Sequence, residues 1–492
     1  MRADASSLNA SFKGLEHYEA RRGAQYSLLP FRFLPLDAER YVVTNFVGEH
    51  LVLRKNDLHS LVKHELLMNS PLYDELKSRH FVIDGDSAVA VDLLAMKYRT
   101  KQSFLSQFTS LFMFVATLRC EHSCRYCQVS RQSEDKAAFD MSPGTADLAV
   151  DFMFKSPSPS IKVEFQGGES LLNFDLVRHV VLRVEERNAT EKRDVEFVLA
   201  TNLAPLTDEH LRFCAEHRIV ISTSLDGPAA LHNANRPRKG SNSHALAIAG
   251  IKRARDVLGT DRVSALMTTT EASLSTPKQI VDEYVAQGFD SIFLRSISPY
   301  GFAAKSGQSR RYLMEQWLRF YETALRYIIE LNLRGVRFRE EASALILRKM
   351  LTPWSTGYVD LQSPAGIGIS AILFNYDGGI YASDESRMLA EMGDNTFRLG
   401  TLGLDAYEDV MAGDRLLAPL LASIAESAPM CSDCALLPYC GSDPVQHHTT
   451  QGDFVGFKPT SAFCQKSMGM VRHLIRLLED DPQAASVLRS WT

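Results

Sequence analysis

Three cysteines stand close together in the segment VATLRCEHSCRYCQVS. They are Cys120, Cys124 and Cys127, in the spacing Cys-x3-Cys-x2-Cys, and Tyr126 directly precedes the last of them. A structural zinc site normally has four protein ligands, and His122 would have to supply the fourth. Three thiolates on a four-iron cluster would instead leave one iron open to a substrate or cofactor. This cysteine triplet therefore indicates a metal centre, with zinc and a catalytic iron–sulfur cluster both open.

A second group of cysteines follows much later in the chain, in CSDCALLPYC and SAFCQKS. Its members are Cys431, Cys434, Cys440 and Cys464. Four thiolates could bind either zinc or an iron–sulfur cluster. The remaining cysteine, Cys214, stands alone in the helix-like TDEHLRFCAEHR, where a buried apolar role is the usual one. The sequence thus predicts two metal sites and one structural cysteine.

The composition is that of a globular protein with more than one domain. Of the 492 residues, 45% are hydrophobic and 23% are charged, and this length predicts roughly two to four domains. The net charge of −5 excludes a strongly basic field, so nucleic acid is not an expected partner. The first residues contain no apolar signal region, and no run approaches the roughly 18 apolar residues of a membrane span. We therefore expect a cytoplasmic protein without a membrane partner, in which clustered cysteines bind metal.

Strands alternate with helices from Leu111 onward, which predicts an α/β fold. The six predicted strands are 111–118, 161–166, 195–201, 219–225, 263–269 and 291–297. The alternation favours a parallel sheet arranged as an open, partial (β/α)6 barrel, although a doubly wound sheet has the same periodicity. In both architectures ligands bind at the carboxyl ends of the strands, and the cysteine triplet directly follows the first strand.

The cysteine triplet, with an aromatic residue before its last member, resembles the signature of the radical S-adenosylmethionine (SAM) enzymes. Three further segments at predicted strand ends are similar to that family, namely FQGGES, TN and SLDG. The residues that the resemblance assigns to the cofactor are Tyr126, Gly167, Gly168, Glu169, Asn202, Ser224, Asp226 and Arg295.

The resemblance also implies a role for each of these residues. Residues 167–169 match the GGE motif, which contacts the methionine amino group of SAM. Asn202 falls at the position of a polar SAM contact, and Ser224 and Asp226 match the ribose-side pattern. For Arg295 there are two alternatives, contact with the SAM carboxylate and an ion pair at the mouth of the barrel.

The chemistry implied by this resemblance begins with a [4Fe–4S] cluster on the cysteine triplet and SAM on its open iron. An external one-electron donor such as flavodoxin or ferredoxin would reduce the cluster, and SAM cleavage would give a 5′-deoxyadenosyl radical. That radical removes a hydrogen atom from an unactivated carbon. The protein positions the carbon and excludes competing quenchers.

The second cysteine group resembles the SPASM domain, an extension of many peptide-modifying radical SAM enzymes. It implies an auxiliary [4Fe–4S] cluster bound by all four cysteines, with a zinc site as the alternative. A second auxiliary cluster would need cysteines at two positions where this chain has Ser383 and Pro444. A proline side chain cannot ligate iron, so we expect one auxiliary cluster, with room for substrate in place of the other.

Asp384 directly follows Ser383 in the segment YASDESRM. In sulfatase-maturing relatives an aspartate at this position acts as a base near the substrate, which implies that Asp384 takes a proton as the product forms. A solvated loop aspartate or a salt-bridge partner is the alternative. His447 and His448 are predicted to be loop residues and not ligands.

Residues 1–100 are predicted to form a winged-helix-like unit, because a hairpin over Glu39–Arg54 precedes two helix-like stretches. This unit resembles the leader-binding element of peptide-modifying enzymes, which would bind a precursor leader as an added β-strand. The radical SAM core is expected over 101–305, a helical connector over 306–375 and the SPASM-like iron–sulfur domain over 376–492.

The segments LPFRF, CEHSCRYCQVSR, GGES and YASDESRM together resemble the His-Xaa-Ser system radical SAM maturase. This resemblance implies a small precursor peptide with His-Xaa-Ser repeats and a paired second radical SAM protein. The expected function is modification of a ribosomally made peptide, with a side-chain cross-link as the first hypothesis and epimerisation or oxidation as alternatives. Sulfatase-maturase-like oxidation of a protein side chain and a non-catalytic iron–sulfur or zinc scaffold are further alternatives.

Overall fold

The computed structural model describes residues 25–85 and 87–492. Contacts within the chain divide it into two compact units, with the division between Tyr98 and Arg99. This division lies next to the predicted limit at residue 100. The first 24 residues of the predicted N-terminal unit lie outside the described residues.

The N-terminal unit consists of an antiparallel sheet followed by helices. Its elements are β1 (Ser27–Leu28), β2 (Phe31–Pro35), β3 (Arg40–Asn45), β4 (His50–Arg54), α1 (Lys55–Val62), α2 (Pro71–Ser78), β5 (Val82–Ile83) and α3 (Val89–Lys101), the last of which continues past the division. β3 pairs with β4 and also with β2, which confirms the predicted hairpin and adds a third strand. The two predicted helices are confirmed as α1 and α2.

Helices α1 and α2 cover one face of the three-stranded sheet. Val43 and Leu51, which face each other across β3 and β4, pack with Tyr73 of α2 in a buried cluster. Ser70 begins α2 by accepting a hydrogen bond from the backbone N–H of Tyr73 at 3.2 Å, and Pro71 occupies the first helical position. Both are typical helix-start residues, so the sequence itself positions this helix against the sheet.

The second unit begins with strands and helices in alternation. They are β6 (Leu111–Thr117), α4 (Lys136–Phe139), α5 (Pro143–Met153), β7 (Ser160–Gly167), α6 (Phe174–Glu191), β8 (Asp194–Thr201), α7 (Asp208–Glu216), β9 (Val220–Ser224), α8 (Ala229–Asn235), α9 (Ser243–Leu258), β10 (Val263–Thr269), α10 (Pro277–Ala286), β11 (Ser291–Ile292) and β12 (Leu294–Ser296). The sixth predicted strand is therefore interrupted, because β11 and β12 are separated by one residue. Cys214 is fully buried on α7, as predicted.

The rest of the second unit is mostly helical. Its elements are α11 (Gly301–Lys305), α12 (Met314–Leu333), β13 (Arg339–Glu340), α13 (Glu341–Leu351), β14 (Ala371–Phe374), β15 (Gly379–Tyr381), α14 (Asp384–Ala390), β16 (Arg398–Thr401), α15 (Tyr407–Ala412), α16 (Asp414–Ala422), α17 (Pro444–Gln451), α18 (Ala462–Asp480) and α19 (Pro482–Arg489). None of the helices in the described part of the chain combines the length and apolar character needed to cross a membrane.

One open sheet organises the second unit, and within the described residues it has nine strands in the order β12-β10-β9-β8-β7-β6-β14-β15-β16. The strands from β12 to β14 are parallel, whereas β15 and β16 are antiparallel to their neighbours. The six predicted strands follow one another without a reversal of order, which is characteristic of a barrel and not of a doubly wound sheet. The predicted α/β fold with an open, partial barrel is confirmed.

Strand β6 shows how the sheet is held in the core. Phe112 and Phe114 point into the large cluster formed with the covering helices, while Met113 and Val115 belong to a smaller cluster on the other face. Because successive side chains of a strand point to opposite faces, an almost continuous apolar run is buried on both sides. The polar residues are thereby left at the strand ends, where the chain leaves the sheet.

Strands β14 to β16 extend this sheet with residues from the predicted connector and the predicted SPASM-like domain. Residues 99–492 form one compact unit, as judged from the contacts within the chain. The proposed limits at residues 305 and 375 lie inside this unit and stay predictions.

Candidate active site

The carboxyl ends of the parallel strands open into a cavity of about 250 Å³. We call it the first cavity. The predicted site residues that line it are Cys120, Cys124, Tyr126, Cys127, Gly167, Gly168, Asn202, Ser224, Arg295 and Asp384. The fold thus gathers residues from strand ends that are far apart in the chain around one space.

The loop with the cysteine triplet is fixed by backbone contacts on several sides. The N–H of Ser123 donates to the carbonyl of Pro237 at 2.7 Å, and the carbonyl of Cys127 accepts from the N–H of Phe302 at 2.7 Å. The guanidinium of Arg387, on α14, donates to the carbonyl of Val129 at 2.8 Å. These contacts hold the three half-buried thiols at one side of the first cavity.

The thiols of the cysteine triplet lie in surroundings that oppose ionisation. Burial raises the pKa of Cys124 to about 12, and burial together with the carboxylates of Glu121 and Glu169 raises the pKa of Cys120 well above its ordinary range. A thiolate in such a place needs a nearby positive charge, and metal ions supply that charge when they bind cysteine.

His122 lies between the cysteines but is already engaged. Its Nδ1 lies 3.0 Å from Oε1 of Glu121, and its Nε2 lies 2.9 Å from Oγ of Ser243. Potential ligand atoms of Cys120, Glu121 and His122 all lie within 4.8 Å of one another. Because both ring nitrogens of His122 have partners, the geometry disfavours it as the fourth ligand of a zinc site.

Gly167 and Gly168 allow β7 to approach the start of the cysteine loop. A Cβ atom on Gly168 would lie 2.7 Å from the carbonyl carbon of Arg119, and one on Gly167 would meet the carbonyl oxygen of Thr117. Gly167 also has a φ of +128°, which other residues rarely adopt. The N–H of Gly168 donates to the carbonyl of Thr117 at 2.8 Å. The two glycines therefore have a packing reason in addition to their predicted role.

Glu169 is fully buried and does not line the first cavity. Its carboxylate accepts hydrogen bonds from Thr201 Oγ1 at 2.5 Å, from the N–H of Asn202 at 2.7 Å and from the N–H of Leu171 at 3.0 Å. These bonds tie the end of β7 to the end of β8. Burial and the nearby Glu121 raise the pKa of Glu169 to about 7. Contact of this carboxylate with SAM stays a prediction.

Asp226 is also fully buried, behind the wall of the first cavity. Its Oδ2 accepts from the hydroxyl of Tyr126 at 2.6 Å and from Nε of Arg236 at 3.0 Å. Although burial opposes ionisation, the Arg236 guanidinium holds the pKa of Asp226 below its usual range. The aromatic residue of the cysteine triplet is thus anchored by a buried hydrogen bond to Asp226, just after the fourth strand, and Asp226 is in turn paired with Arg236.

Three other predicted residues line the first cavity at different strand ends. Asn202 follows β8 and uses its Oδ1 to accept from the N–H of Ala204 at 2.8 Å, while Ser224 ends β9. Arg295, on β12, lies with a guanidinium nitrogen 3.8 Å from Oε1 of Glu385. The ion pair that was one alternative for Arg295 is therefore present, and its side chain still reaches the cavity.

Asp384 also lines the first cavity, as the first residue of α14. The preceding Ser383 caps this helix, because its Oγ accepts from the N–H of Ser386 at 3.2 Å and its own N–H donates to Ser386 Oγ at 2.8 Å. A serine at this position is a good helix cap. Asp384 is therefore a helical residue facing the cavity and not a solvated loop residue.

Glu164 and Arg236 are among the residues of the first cavity that were not predicted from the sequence. Glu164 lies on β7, where burial and the nearby Asp384 raise the pKa of its carboxyl group to about 7. Arg236 follows α8 and lies with its guanidinium carbon 5.3 Å from the centre of the Tyr126 ring. The alternation of Lys162, Glu164 and Gln166 with apolar residues marks a polar face of the strand, and this signal could have identified Glu164. No comparable local pattern marks Arg236.

Comparison with known protein families identifies this part of the chain. Residues 114–293 match the sequence profile of the Radical SAM superfamily. The chain contains a radical SAM domain. The matched residues include the cysteine triplet and the strand ends from β6 to β10.

Curated relatives of the radical SAM domain match only part of the chain. An uncharacterised protein of Methanothermobacter thermautotrophicus is 28% identical over 180 residues, which are 36% of this chain and 64% of that protein. The cysteine-type anaerobic sulfatase-maturating enzyme of Clostridium novyi is 26% identical over 139 residues, or 27% of this chain and 37% of that protein. The serine-type enzyme of Klebsiella aerogenes is 24% identical over 206 residues, or 41% of this chain and 49% of that protein. The chain thus spans from about a third to two thirds of these relatives.

Two solved structures share the fold over more of the chain. Native anSMEcpe with bound AdoMet has a TM-score of 0.63 at 15% identity and covers 78% of this chain and 100% of that one. Streptococcus suis SuiB bound to precursor peptide SuiA has a TM-score of 0.52 at 12% identity, with 89% and 100% covered. Since identity is low, these similarities show the fold alone.

The second cysteine group follows the radical SAM domain, and three of its members share one cavity. Cys431, Cys440 and Cys464 line a small cavity of about 30 Å³. Burial and the other three thiols of the group raise the pKa of Cys464 to about 12. The N–H of Cys434 donates to the carbonyl of Cys431 at 3.0 Å. Among the described residues no disulfide joins these cysteines. Four convergent thiols are a suitable ligand set for an iron–sulfur cluster or for zinc.

Helix α17 lies between Cys440 and Cys464 in the chain and explains several sequence features. Pro444 is its first residue, after Asp443, whose Oδ1 accepts from the N–H of Gln446 at 2.8 Å. His447 and His448 were predicted in a loop, which is wrong, because both lie in this helix. Nε2 of His447 lies 2.8 Å from Ser461 Oγ, and Nε2 of His448 lies 2.8 Å from Oδ2 of Asp394.

Proposed function

We propose that this chain is a radical SAM enzyme that modifies a ribosomally made peptide after hydrogen abstraction. The observation that carries the proposal is the first cavity, where a loop with three convergent thiols meets the glycine-lined end of β7 inside the radical SAM domain. His122 is engaged elsewhere, so the protein offers three ligands and not four. This is the ligand set of a cluster with one open iron.

The residues of the first cavity would hold both the cluster and SAM. Cys120, Cys124 and Cys127 would bind the [4Fe–4S] cluster. When bound together, the cluster and SAM supply a 5′-deoxyadenosyl radical, which removes a hydrogen atom from carbon. The buried hydrogen bond from Tyr126 to Asp226 keeps the cysteine loop in place at the wall of the first cavity.

The remaining SAM contacts are assigned to the strand ends. Gly167 and Gly168 leave the backbone uncovered at the end of β7, Asn202 and Ser224 offer polar side chains, and Arg295 offers a guanidinium for the SAM carboxylate. Glu169 and Asp226 would support this site from behind, through the buried bonds that tie the strand ends together.

We further propose that the second cysteine group binds one auxiliary [4Fe–4S] cluster. Its four thiols supply a complete ligand set. Ser383 and Pro444, at the positions where a further cluster would need cysteines, serve instead as helix-start residues. An external donor such as flavodoxin or ferredoxin would supply the electron.

A peptide substrate is supported by the solved structures with the same fold. SuiB was solved bound to the precursor peptide SuiA, and anSMEcpe was solved with the bound peptide Cp18Cys. The N-terminal unit of this chain has two edge strands within its described three-stranded sheet, β2 and β4. An edge strand can accept an extended peptide as an additional strand. We assign leader binding to this unit, and we take a precursor with His-Xaa-Ser repeats and a paired second radical SAM protein as its partners.

The bond formed in the product is proposed to be a side-chain cross-link. A second candidate is sulfatase-maturase-like oxidation of a side chain, favoured by the similarity to two sulfatase-maturating enzymes and by Asp384 at the cavity wall. In both reactions Asp384 would accept a proton after hydrogen abstraction.

Anaerobic reconstitution tests the proposal. The wild-type chain with iron, sulfide and a reductant should bind SAM and release 5′-deoxyadenosine. Cys124→Ala should abolish release, while Cys214→Ala, a matched change at a buried cysteine outside the cavity, should retain it. Tight binding of zinc, with no 5′-deoxyadenosine under any condition, would instead support the scaffold alternative.

A further inference from the structure

A second cavity of about 110 Å³ lies next to the first. Arg295 lines both cavities, and consecutive residues of α14 separate them, since Asp384 lines the first and Glu385 lines the second. A ligand in the second cavity would therefore lie beside the space in which hydrogen abstraction is proposed to occur.

The position of the second cavity follows from the two helix starts described above. Glu385 comes two residues after Ser383, and Asp443 directly precedes Pro444. Both residues line the cavity. The second cavity thus has a carboxyl group close in sequence to each of the two positions, Ser383 and Pro444, where a further cluster would need a cysteine.

Acidic side chains outnumber basic ones in the wall of this cavity. The carboxylates are those of Asp360, Glu385 and Asp443, and the cations are Arg295 and Lys466. If Arg295 binds the SAM carboxylate, the imbalance increases. Burial, with the neighbouring Asp384, raises the pKa of Glu385 well above its usual range. Arg295 lies 3.8 Å from Oε1 of Glu385, but the cavity still has one more acidic than basic side chain. Such an excess in a partly buried space favours a cationic ligand.

Aromatic side chains form much of the remaining wall, including Tyr300, Trp317 and Tyr358. Such a wall favours cations through the negative faces of the rings. The hydroxyl of Tyr300 is an independent sign of a ligand. Tyr300 is only 1% exposed, and its hydroxyl has no hydrogen-bond partner among the described residues. Buried polar atoms normally have a partner, so a ligand atom would satisfy this one.

We propose that the second cavity binds a cationic side chain of the peptide substrate, next to the residue that loses its hydrogen atom. This inference rests on the proposed function, because it assigns the ligand to the same substrate. The carboxylates and rings would recognise an ammonium, guanidinium or imidazolium group. The positive side chain would thereby fix the register of the peptide relative to the first cavity.

The test measures binding of small probes to the reconstituted holoenzyme by anaerobic titration calorimetry. The cationic probes are n-butylammonium, n-propylguanidinium and, at pH 6, 4-methylimidazolium, with butyrate and n-butanol as anionic and neutral counterparts. We expect the cations to bind at least about fivefold more tightly than butyrate or butanol, which is the upper range for an exposed ion pair.

Three variants test whether acidic side chains of the second cavity strengthen cation binding and whether a basic one weakens it. Asp443→Asn retains a side-chain oxygen that can cap α17, and Glu385→Gln retains size and polarity. Each should weaken cation binding by about fivefold, whereas Lys466→Gln removes a competing cation and should strengthen it. Iron content and circular dichroism show whether each variant is folded. Butyrate as the tightest probe, a reversed order among the variants or no measurable binding to wild type would each overturn the proposal.

Release of 5′-deoxyadenosine by the same wild-type preparation separates the two proposals. If SAM is cleaved but cations are not preferred, only the cationic pocket is wrong. If cations are preferred but SAM is not cleaved, the proposed function is wrong, and the ligand of this cavity is not a radical substrate.

Discussion

Gly168→Ala tests whether the cysteine loop must approach β7 as closely as the structure shows. The added Cβ would lie 2.7 Å from the carbonyl carbon of Arg119 and 2.8 Å from that of Leu118. Non-bonded carbon atoms are normally about 3.5–4.0 Å apart. The backbone just before Cys120 would therefore have to retreat by about 0.8 Å or more.

A shift of this size acts directly on the first ligand of the cysteine triplet. A displacement of about 1 Å in a catalytic site can reduce the rate by roughly 100-fold. We expect SAM cleavage by Gly168→Ala to fall by about 10- to 100-fold, with less iron bound after reconstitution. The assay measures 5′-deoxyadenosine and iron in the same anaerobic sample, so loss of cluster and loss of rate are distinguished.

Gly144→Ala is the matched control, because it adds the same methyl group at the start of α5. The nearest heavy atom would lie 3.9 Å away, at Ser142 Oγ, which is an ordinary contact. This variant should have the iron content and SAM cleavage of wild type. Equal iron and equal rates for Gly168→Ala and Gly144→Ala would refute the argument that the close approach positions Cys120.

Further predictions concern the clusters, the N-terminal unit, Asp384 and the buried ion pair. Reconstituted protein should hold about eight irons, and alanine at all three positions of the cysteine triplet should remove about four; a content near twelve would contradict the single auxiliary cluster. Deletion of residues 1–98 should weaken precursor binding in a titration but leave SAM cleavage without peptide intact, and unchanged peptide modification would exclude leader binding there. Asp384→Asn should still cleave SAM but lower the product formed per 5′-deoxyadenosine by roughly tenfold or more, measured by mass spectrometry; a wild-type ratio would make Asp384 dispensable. Arg236→Met should lower the free energy of unfolding of the iron-free protein by roughly 3–5 kcal/mol in urea, because it leaves Asp226 buried and unpaired; purely additive effects with Asp226→Asn would show that the two side chains are not coupled.

Local patterns were sufficient for most of the fold. The parallel strands are short apolar runs separated by helices, and this periodicity depends only on neighbouring residues. The cysteine triplet lies within one loop, so its spacing alone indicates a metal centre. The hairpin of the N-terminal unit and the burial of Cys214 were predicted for the same reason.

Two helix starts were not recognised in the sequence, because the family resemblance led us to interpret their residues as missing cluster ligands. Ser383 and Pro444 were interpreted as vacant cluster positions, yet in the structure they begin α14 and α17. Serine as a cap and proline at the first helical position are ordinary local signals. They also show that His447 and His448 belong to a helix.

The sequence by itself determined the alternation of strands and helices, the two groups of cysteines and the strand ends at which a cofactor would bind, whereas the strand order of an open barrel came from the structure. Only the tertiary structure decided that Arg236 pairs with Asp226 behind Tyr126, and that Arg295, Glu385 and Lys466 surround a second cavity. The physical reason is the range of the interactions. Periodicity and motif spacing reflect contacts within a few residues, whereas cavities and buried ion pairs depend on which distant segments the strand order brings together.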